Sequence, residues 1–119
     1  MTEVIEPVIE LTLNEYQHLA QRTSRKDLTM PQHLMNAMLG LAGEVGECCD
    51  LVKKSNYQDG RAIGEDLMDE LSDVMWYLAE AATAIGTTLN EIGLHNIHKL
   101  QKRYPDGFSA ERSLHREQG

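Results

Sequence analysis

The sequence predicts an all-α protein, a four-helix bundle, on the basis of two observations. Leu, Ala, Glu and Met are frequent among its 119 residues, whereas aromatic residues make up only 5%, and this mix favours helices. Apolar residues also recur at steps of three and four along two long segments, which is the period of one helix face. A chain of this length forms one domain with a modest core.

Capping patterns mark where three of the four predicted helices begin. At each start a Thr is followed three residues later by Glu or Gln, the sequence of a capping box: Thr12/Glu15, Thr29/Gln32 and Thr88/Glu91. The predicted helices span residues 13–25, about 30–54, 65–85 and about 89–104, and "PDG" breaks the last of them. We expect a single domain over residues 1–119, with 1–11 as an extended lead-in and 105–119 as a polar tail.

The chain is acidic, with 19 Asp and Glu against 11 Lys and Arg and a formal net charge of −8. Nucleic-acid backbones are bound by basic surfaces, so this balance argues against a nucleic-acid polymer as partner, although it permits a small phosphorylated substrate carried by a metal ion. No apolar segment reaches the length of a membrane span, and the acidic first residues do not resemble a signal peptide. We therefore expect a cytoplasmic protein in which Cys48 and Cys49 are buried, reduced thiols.

Two apolar stripes predict how the second and third helices pack. Their members step by four and three along the chain: Leu34, Met38, Leu41, Val45, Cys48 and Val52 on the second helix, and Leu67, Leu71, Val74, Leu78, Ala81 and Ile85 on the third. Such stripes pack against each other along a seam in helical bundles. A weaker stripe on the fourth helix consists of Gly93, Ile97, Leu100 and Tyr104.

Four carboxylates flank this seam on the same rotational side. Glu44 and Glu47 each precede a stripe residue on the second helix, and Glu70 and Asp73 do so on the third. If the helices pack along their stripes, the four acids converge, and without a partner some of them would have to take up protons. A hard divalent cation such as Mg²⁺ or Mn²⁺ removes the repulsion because it prefers oxygen ligands. We therefore predict a metal site at the edge of the seam.

Each acid pair taken alone has a simpler interpretation as part of a solvated helix face, because acids abound in this chain. Other acids are interpreted in that way: Asp50, Glu65, Asp66, Asp69 and Glu80. The matching offset of two pairs on adjacent helices favours the metal site over this alternative.

Polar residues on the fourth helix complement the predicted metal site. Asn96, Lys99 and Arg103 share one face, each directly before a residue of the weaker stripe. Cations beside a carboxylate–metal site suit an anionic ligand such as a polyphosphate. Basic residues near a helix C-terminus also favour the helix dipole, which explains Arg103 equally well but Asn96 less well.

Small and aromatic residues near the acids have two interpretations each. Ala37 and Gly40 lie on nearly the same face as Glu44 and would either leave space for a ligand above the metal or permit close helix packing. Tyr77 lies one turn beyond Asp73 and would either meet a bound group or pack at the edge of the core.

Four segments resemble the MazG-like all-α nucleoside triphosphate pyrophosphohydrolases. They are "EYQHLAQRT" (15–23), "LGLAGEVGE" (39–47), "DELSDVMWYL" (69–78) and "NIHKLQKRYPDGFS" (96–109). The signature of that family is E-x-x-E followed by E-x-x-D on the next long helix, and here it falls on Glu44/Glu47 and Glu70/Asp73. The segments cover most of the chain between residues 15 and 109.

The resemblance implies Mg²⁺-dependent hydrolysis of a (deoxy)nucleoside triphosphate to the monophosphate and pyrophosphate, with Mn²⁺ as a substitute metal, by a homodimer or homotetramer. The four acids would be metal ligands and catalytic residues, one of them helping to activate the attacking water: Glu44, Glu47, Glu70 and Asp73. The substrate would be bound by Asn96, Lys99, Arg103, Tyr77 and Lys54. Among five scattered histidines, His18 and His33 are candidates for approaching the base.

Two other classes stay open on the sequence alone. A metal-storage or oxidative di-iron bundle uses Glu-x-x-His on two helices, and this chain has one such match, Glu15 with His18. A non-enzymatic helical interaction module would carry the carboxylates only for solubility. Such a module would show no stabilisation by divalent ions.

Overall fold

The computed structural model describes residues 10–56 and 63–108. They form four α-helices in chain order: α1 (Leu13–Gln21), α2 (Met30–Lys54), α3 (Gly64–Ala84) and α4 (Leu89–Arg103). Within these residues the β pairing is limited to one isolated bridge between Pro105 and Gly107, so the predicted all-α class is confirmed. Three parts of the chain lie outside the described residues: the predicted lead-in up to residue 9, residues 57–62 between the predicted second and third helices, and the predicted tail from residue 109.

Capping boxes start α1 and α2, as predicted. The Thr12 hydroxyl accepts a hydrogen bond from the Glu15 N–H at 3.0 Å, and the Glu15 carboxylate accepts one from the Thr12 N–H at 2.8 Å. Thr29 and Gln32 make the same pair of bonds at the start of α2. Each box satisfies backbone N–H groups that a helix start otherwise leaves without partners.

α1 ends at Gln21, four residues before its predicted end. The N–H groups of Arg22, Thr23 and Ser24 bond to carbonyls three residues back, which tightens the last turn. The Thr23 hydroxyl also donates to the Ala20 carbonyl at 2.7 Å. Short polar side chains compete in this way with the helical bonding pattern, and the helix stops.

α4 follows the prediction closely at both ends. The Thr88 hydroxyl accepts from the Glu91 N–H at 3.0 Å, but the Glu91 carboxylate accepts from the Thr87 hydroxyl, so the capping box is only half formed. The helix ends at Arg103, before the predicted "PDG" break. Gly107 adopts a φ of 90°, a conformation that glycine enters without steric cost.

α2 and α3 pack as an antiparallel pair, and this pair positions the predicted site. Near the start of α2, His33 meets Glu80 at the far end of α3. Further along α2, Glu44 meets Glu70 near the start of α3. From one contact to the next, the residue number increases along α2 and decreases along α3, as it does in an antiparallel pair.

α1 lies across the C-terminal half of α3 and holds the start of α4 through one buried glutamine. Gln17 is 8% exposed, and its amide donates to the Thr83 hydroxyl at 2.9 Å and to the Thr87 carbonyl at 3.2 Å. Its carbonyl oxygen accepts from the Leu89 N–H at 2.7 Å. These bonds offset the cost of burying a polar side chain and fix α1 relative to both helices.

The core of one chain is small. Within the described residues, the buried apolar side chains are Ala20, Ala37, Ala79, Ala82 and Leu89. Large apolar residues of the predicted stripes are exposed instead, among them Met38 (49%), Val45 (46%) and Leu71 (51%). Because Ala37 is fully buried directly before Met38, the contact face of α2 is rotated toward its carboxylate side. The predicted seam is therefore only partly enclosed within one chain.

Two features bear on the predicted compartment. In the part of the chain that is described, no helix combines the length and apolar character that crossing a membrane requires. Both cysteines are free thiols, with Cys48 half-buried and Cys49 exposed. The expectation of two buried thiols is therefore wrong: Cys48 is only partly buried, and Cys49 is exposed. The cytoplasmic location stays a prediction.

Candidate metal centre

Glu44, Glu70 and Asp73 come together where the carboxylate sides of α2 and α3 face each other. Each residue offers one carboxylate oxygen, and these three oxygens lie within 4.8 Å of one another. Glu44 and Glu70 are half-buried and Asp73 is exposed, so the group opens to solvent on one side. We refer to these three residues as the carboxylate cluster.

The close approach of the acids in the carboxylate cluster affects the pKa of Glu70. Its pKa is raised above the ordinary glutamate value, first by a hydrogen bond shared with the Glu44 carboxyl and then by desolvation. The charges of Glu44, Glu47 and Asp73 raise this pKa further. The carboxylate oxygens of Glu44 and Glu70 are close enough for one cation to contact both.

The donor set of the cluster fits a hard divalent cation. Its three candidate ligands are all carboxylate oxygens, the kind that Mg²⁺ and Mn²⁺ prefer. The open side leaves room for the waters or phosphate oxygens that Mg²⁺ usually retains. Cys48 lies nearby, but burial and the charge of Glu70 raise the pKa of its thiol, which disfavours a thiolate ligand. Metal binding by the cluster stays a prediction.

Glu47, the fourth predicted ligand, lies outside this group of three oxygens. It is exposed and follows Glu44 by one helical turn. Its charge is close enough to contribute to the raised pKa of Glu70. The structure therefore places Glu47 beside the cluster, and its role as a ligand or base stays a prediction.

Tyr77 packs over Gly40 next to the cluster. A Cβ atom at Gly40 would overlap ring carbons of Tyr77, so any side chain there would displace the ring. The Tyr77 ring also meets the Trp76 ring edge-on, with the ring centroids 5.0 Å apart. Of the two interpretations of Gly40, the structure favours close packing, because the Tyr77 ring fills the space above it.

The predicted phosphate-binding residues lie on the second half of α4. Asn96 and Lys99 are exposed, and Arg103 is half-buried. Within the described residues, neither Asn96 nor Lys99 makes a hydrogen bond or ion pair with the carboxylate cluster. Their contact with a substrate stays a prediction.

Lys54, the last predicted substrate-binding residue, lies at the end of α2. Its ammonium group pairs with the Asp50 carboxylate at 2.9 Å, and both side chains are exposed. Ten residues separate it from Glu44, which is about 15 Å along a helix. Lys54 is thus the predicted site residue that the structure places furthest from the cluster along α2.

Tyr16 is a neighbour of the cluster that the sequence did not single out. It packs against Ala79, Ala82 and Leu89, where α1 crosses α3. Burial raises the pKa of its hydroxyl, and the charge of Asp73 raises it further. No spacing in the sequence indicates this proximity, because it depends on how α1 lies across α3.

Glu80 is the clearest correction among the acids. The sequence interpretation made it part of a solvated face, but it is 4% exposed. Gln21 Nε2 of α1 donates to one of its carboxylate oxygens at 2.9 Å, and His33 Nδ1 of α2 lies 3.7 Å from the other. These three residues form a second polar group on the α2–α3 pair, which we call the Glu80 cluster.

Comparison with known proteins gives two matches of interest. A family model described as the MazG nucleotide pyrophosphohydrolase domain matches residues 32–108, which include both acid pairs. The "Gene 37 protein" of Mycobacterium phage L5 is 41% identical over an alignment of 73 residues that covers 58% of this chain and 64% of that protein. The match therefore spans just under two thirds of the length of this relative. No solved structure matches the chain.

Proposed function

The chain belongs to the MazG nucleotide pyrophosphohydrolase family, and from this premise we propose that it hydrolyses a (deoxy)nucleoside triphosphate to the monophosphate and pyrophosphate. The observation that carries the proposal is the convergence of Glu44, Glu70 and Asp73 from two helices. Phosphoryl transfer depends on positioning and on charge neutralisation more than on a covalent nucleophile. A group of carboxylates that gathers cations around a polyphosphate suits that requirement.

The metal in this proposal is Mg²⁺, with Mn²⁺ as a substitute, held by the carboxylate cluster with Glu47 beside it. When bound, it would neutralise phosphate charge and lower the pKa of a coordinated water. The four carboxylates Glu44, Glu47, Glu70 and Asp73 would hold the ion, and one of them would accept the proton of the attacking water. The water oxygen would bond to the α-phosphorus as the bond from that phosphorus to the bridging oxygen breaks, and pyrophosphate would leave with the electron pair of that bond.

The α4 face supplies the complementary charge. Asn96, Lys99 and Arg103 would contact the phosphates and stabilise the departing pyrophosphate, with Tyr77 and Lys54 as further substrate contacts. An acidic protein can thereby bind an acidic substrate, because the ion inverts the local field. The all-carboxylate composition of the cluster favours this chemistry over a di-iron bundle, which requires histidine ligands.

The test of this proposal is a panel of common and damaged nucleoside triphosphates incubated with the protein and Mg²⁺ or Mn²⁺. We expect monophosphate and pyrophosphate in equal amounts from at least one of them. Separation of the products by anion-exchange chromatography measures both. A diphosphate with orthophosphate as the first products would contradict the proposal, and so would no turnover of any triphosphate.

The uncovered apolar surface supports a homo-oligomer, either a dimer or a tetramer. Between His33 and Glu44, α2 carries no charged residue, and Met35 (63%), Met38 (49%) and Leu39 (66%) are exposed there. Contiguous apolar surface of this kind typically marks a protein interface. A second copy of the chain is the natural partner, because the core of one chain is so small.

We expect Met38→Glu to dissociate this oligomer, because it places a charge in the centre of the apolar face. Light scattering coupled to size exclusion should give the wild-type protein at least twice the chain mass of 13.4 kDa. The variant should elute with the mass of one chain. Gln101→Glu, which adds the same charge at an exposed polar position of α4, is the control and should keep the wild-type mass. A wild-type protein that is monomeric at high concentration would contradict the prediction.

A further inference from the structure

The Glu80 cluster lies on the same helix faces as the carboxylate cluster. On α3 the steps are three, four and three residues, through Glu70, Asp73, Tyr77 and Glu80. On α2 they are four, three and four residues, through His33, Ala37, Gly40 and Glu44. Residues at such steps share one face of a helix. Glu80 is therefore displaced from Asp73 by two turns, about 10 Å along α3, with Tyr77 between them.

A cavity opens beside the Glu80 cluster, between the end of α1, the start of α2 and the end of α3. Its volume is about 350 Å³, which is within the range of small-molecule sites. The residues that matter for its chemistry are Gln21, Ser24, Met30, His33, Glu80 and Thr83. The wall is mixed, with an apolar side from Met30 and polar groups from three helices.

The Glu80 carboxylate is the dominant polar group in this wall. A carboxylate accepts about four hydrogen bonds through its two oxygens. One oxygen receives the bond from Gln21 Nε2, while the His33 nitrogen, at 3.7 Å from the other, is too distant for a hydrogen bond. Glu80 therefore retains acceptor capacity although it is almost fully buried. A ligand with suitably placed donors could use that capacity.

The charges around the cavity argue against a phosphate as its occupant. Lys26 donates to the Gln21 carbonyl at 3.0 Å, and Arg25 forms a two-pronged pair with Asp27 at 2.7 and 3.0 Å. Both basic residues line the cavity, but Arg25 is paired with a carboxylate, which offsets its charge. A buried carboxylate in the wall would also repel an anion. A neutral group rich in N–H donors fits better.

We propose that this cavity binds the base of the nucleoside triphosphate and that Glu80 selects guanine. The inference rests on the proposed function, because it assumes that the triphosphate end of the substrate lies at the carboxylate cluster. A nucleoside spans a length comparable to the two-turn separation between the clusters. Glu80 then acts as a residue that contacts the base, and Gln21 as the residue that positions the Glu80 carboxylate.

The hydrogen-bonding edges of the bases make guanine the best complement to a carboxylate. Guanine presents a ring N–H next to an amino group, so two adjacent donors meet the two oxygens. Adenine and cytosine place a ring nitrogen acceptor beside their amino group, and uracil and thymine flank one N–H with two carbonyls. In each of these bases an acceptor would face the carboxylate. Sites that read a base by its pairing edge discriminate strongly against a mismatched donor pattern.

The first experiment measures kcat/KM for dGTP, dATP, dCTP, dTTP and dUTP with the wild-type protein, Glu80→Gln and Glu65→Gln. We expect the wild type to favour dGTP by at least about tenfold, the effect of one or two buried hydrogen bonds. Glu80→Gln replaces one acceptor by a donor, so it should lower kcat/KM for dGTP about 10- to 100-fold, mainly through KM. Glu65→Gln makes the same change at an exposed position in the first turn of α3 and should leave the preference intact.

Two outcomes would overturn the inference. The first is that the wild-type protein hydrolyses another of these triphosphates as efficiently as dGTP or more so. The second is that the Glu80→Gln variant keeps the wild-type preference for dGTP. If Glu80→Gln does not fold, Gln21→Met serves in its place. It removes the amide that holds the Glu80 carboxylate at 2.9 Å, and it should reduce the dGTP preference about threefold or more.

Binding of deoxynucleoside monophosphates in EDTA separates this inference from the proposed function. Calorimetry or ligand-observed NMR should show dGMP binding more tightly than dAMP, dCMP or dTMP, since the cavity does not need the metal. A dGMP preference without hydrolysis of any triphosphate would support the base site and contradict the proposed function. Hydrolysis of all the triphosphates without preference, together with equal binding of all four monophosphates, would support the proposed function and contradict the base site.

Discussion

Glu70→Gln should lower kcat/KM about 10²- to 10³-fold, because it removes a charged ligand from the centre of the carboxylate cluster. A hydrogen bond with the Glu44 carboxyl is the first cause of the raised pKa of Glu70, and one Glu70 oxygen lies within 4.8 Å of an oxygen of each other member of the cluster. Asp69→Asn removes a charge from the adjacent, exposed position on α3 and should leave turnover near the wild-type value. Steady-state kinetics at saturating Mg²⁺ measures both variants.

The same substitution should stabilise the protein when metal is absent. The pKa of Glu70 is raised in the folded state, so the folded protein binds its proton more tightly than the unfolded chain does. Stability of the metal-free wild type should therefore increase as the pH falls through that raised pKa and decrease as the pH rises through it. Glu70→Gln has no such proton to bind, and its melting temperature should lose this pH dependence. A variant with normal turnover and an unchanged pH profile would exclude the assignment.

Removal of divalent ions should abolish turnover, and addition of Mg²⁺ or Mn²⁺ should restore it. The reason is that carboxylates cannot neutralise a polyphosphate without a cation between them. Bound metal should also raise the melting temperature of the wild type by several degrees, since an ion that binds only the folded state stabilises it by mass action. Glu70→Gln should show a much smaller increase. Thermal melts in EDTA and in Mg²⁺ measure the effect without any substrate.

Full turnover by protein that has been stripped of divalent ions and assayed in EDTA would contradict the metal assignment. A melting temperature that responds to Mg²⁺ equally in the wild type and in Glu70→Gln would place the binding site elsewhere. Asp69→Asn is again the matched control, because it changes the overall charge by the same amount outside the cluster.

The sequence predicted those features of the fold that depend on local chemistry. The starts of α1 and α2 followed from Thr12 and Thr29, because a capping box involves residues only three apart. The convergence of Glu44 with Glu70 and Asp73 followed from a shared rotational offset on two helices. The first inference uses only contacts within one turn. The second uses helical periodicity together with the assumption that α2 and α3 pack against each other, and the structure supports that assumption on the carboxylate side of α2.

Features that depend on the relative placement of helices were not predictable in the same way. The sequence interpretation counted Glu80 among the solvated acids. Its burial depends on α1, which brings Gln21 against it, and the sequence does not predict where α1 lies. Tyr16 was not linked to Asp73 for the same reason. Some residues of the apolar stripes, such as Met38, are exposed in one chain and are candidates for contacts between chains. The periodicity of the sequence does not distinguish such residues from those that pack within the chain.

The position at which water attacks tests the central claim most directly. The triphosphate that the panel identifies as a substrate is hydrolysed in ¹⁸O-labelled water with Mg²⁺, and the products are separated and analysed by mass spectrometry. We predict that one labelled oxygen enters the nucleoside monophosphate and that the pyrophosphate is unlabelled, because the attack is on the α-phosphorus. Label in the pyrophosphate, with an unlabelled monophosphate, would place the attack on the β-phosphorus and contradict the account.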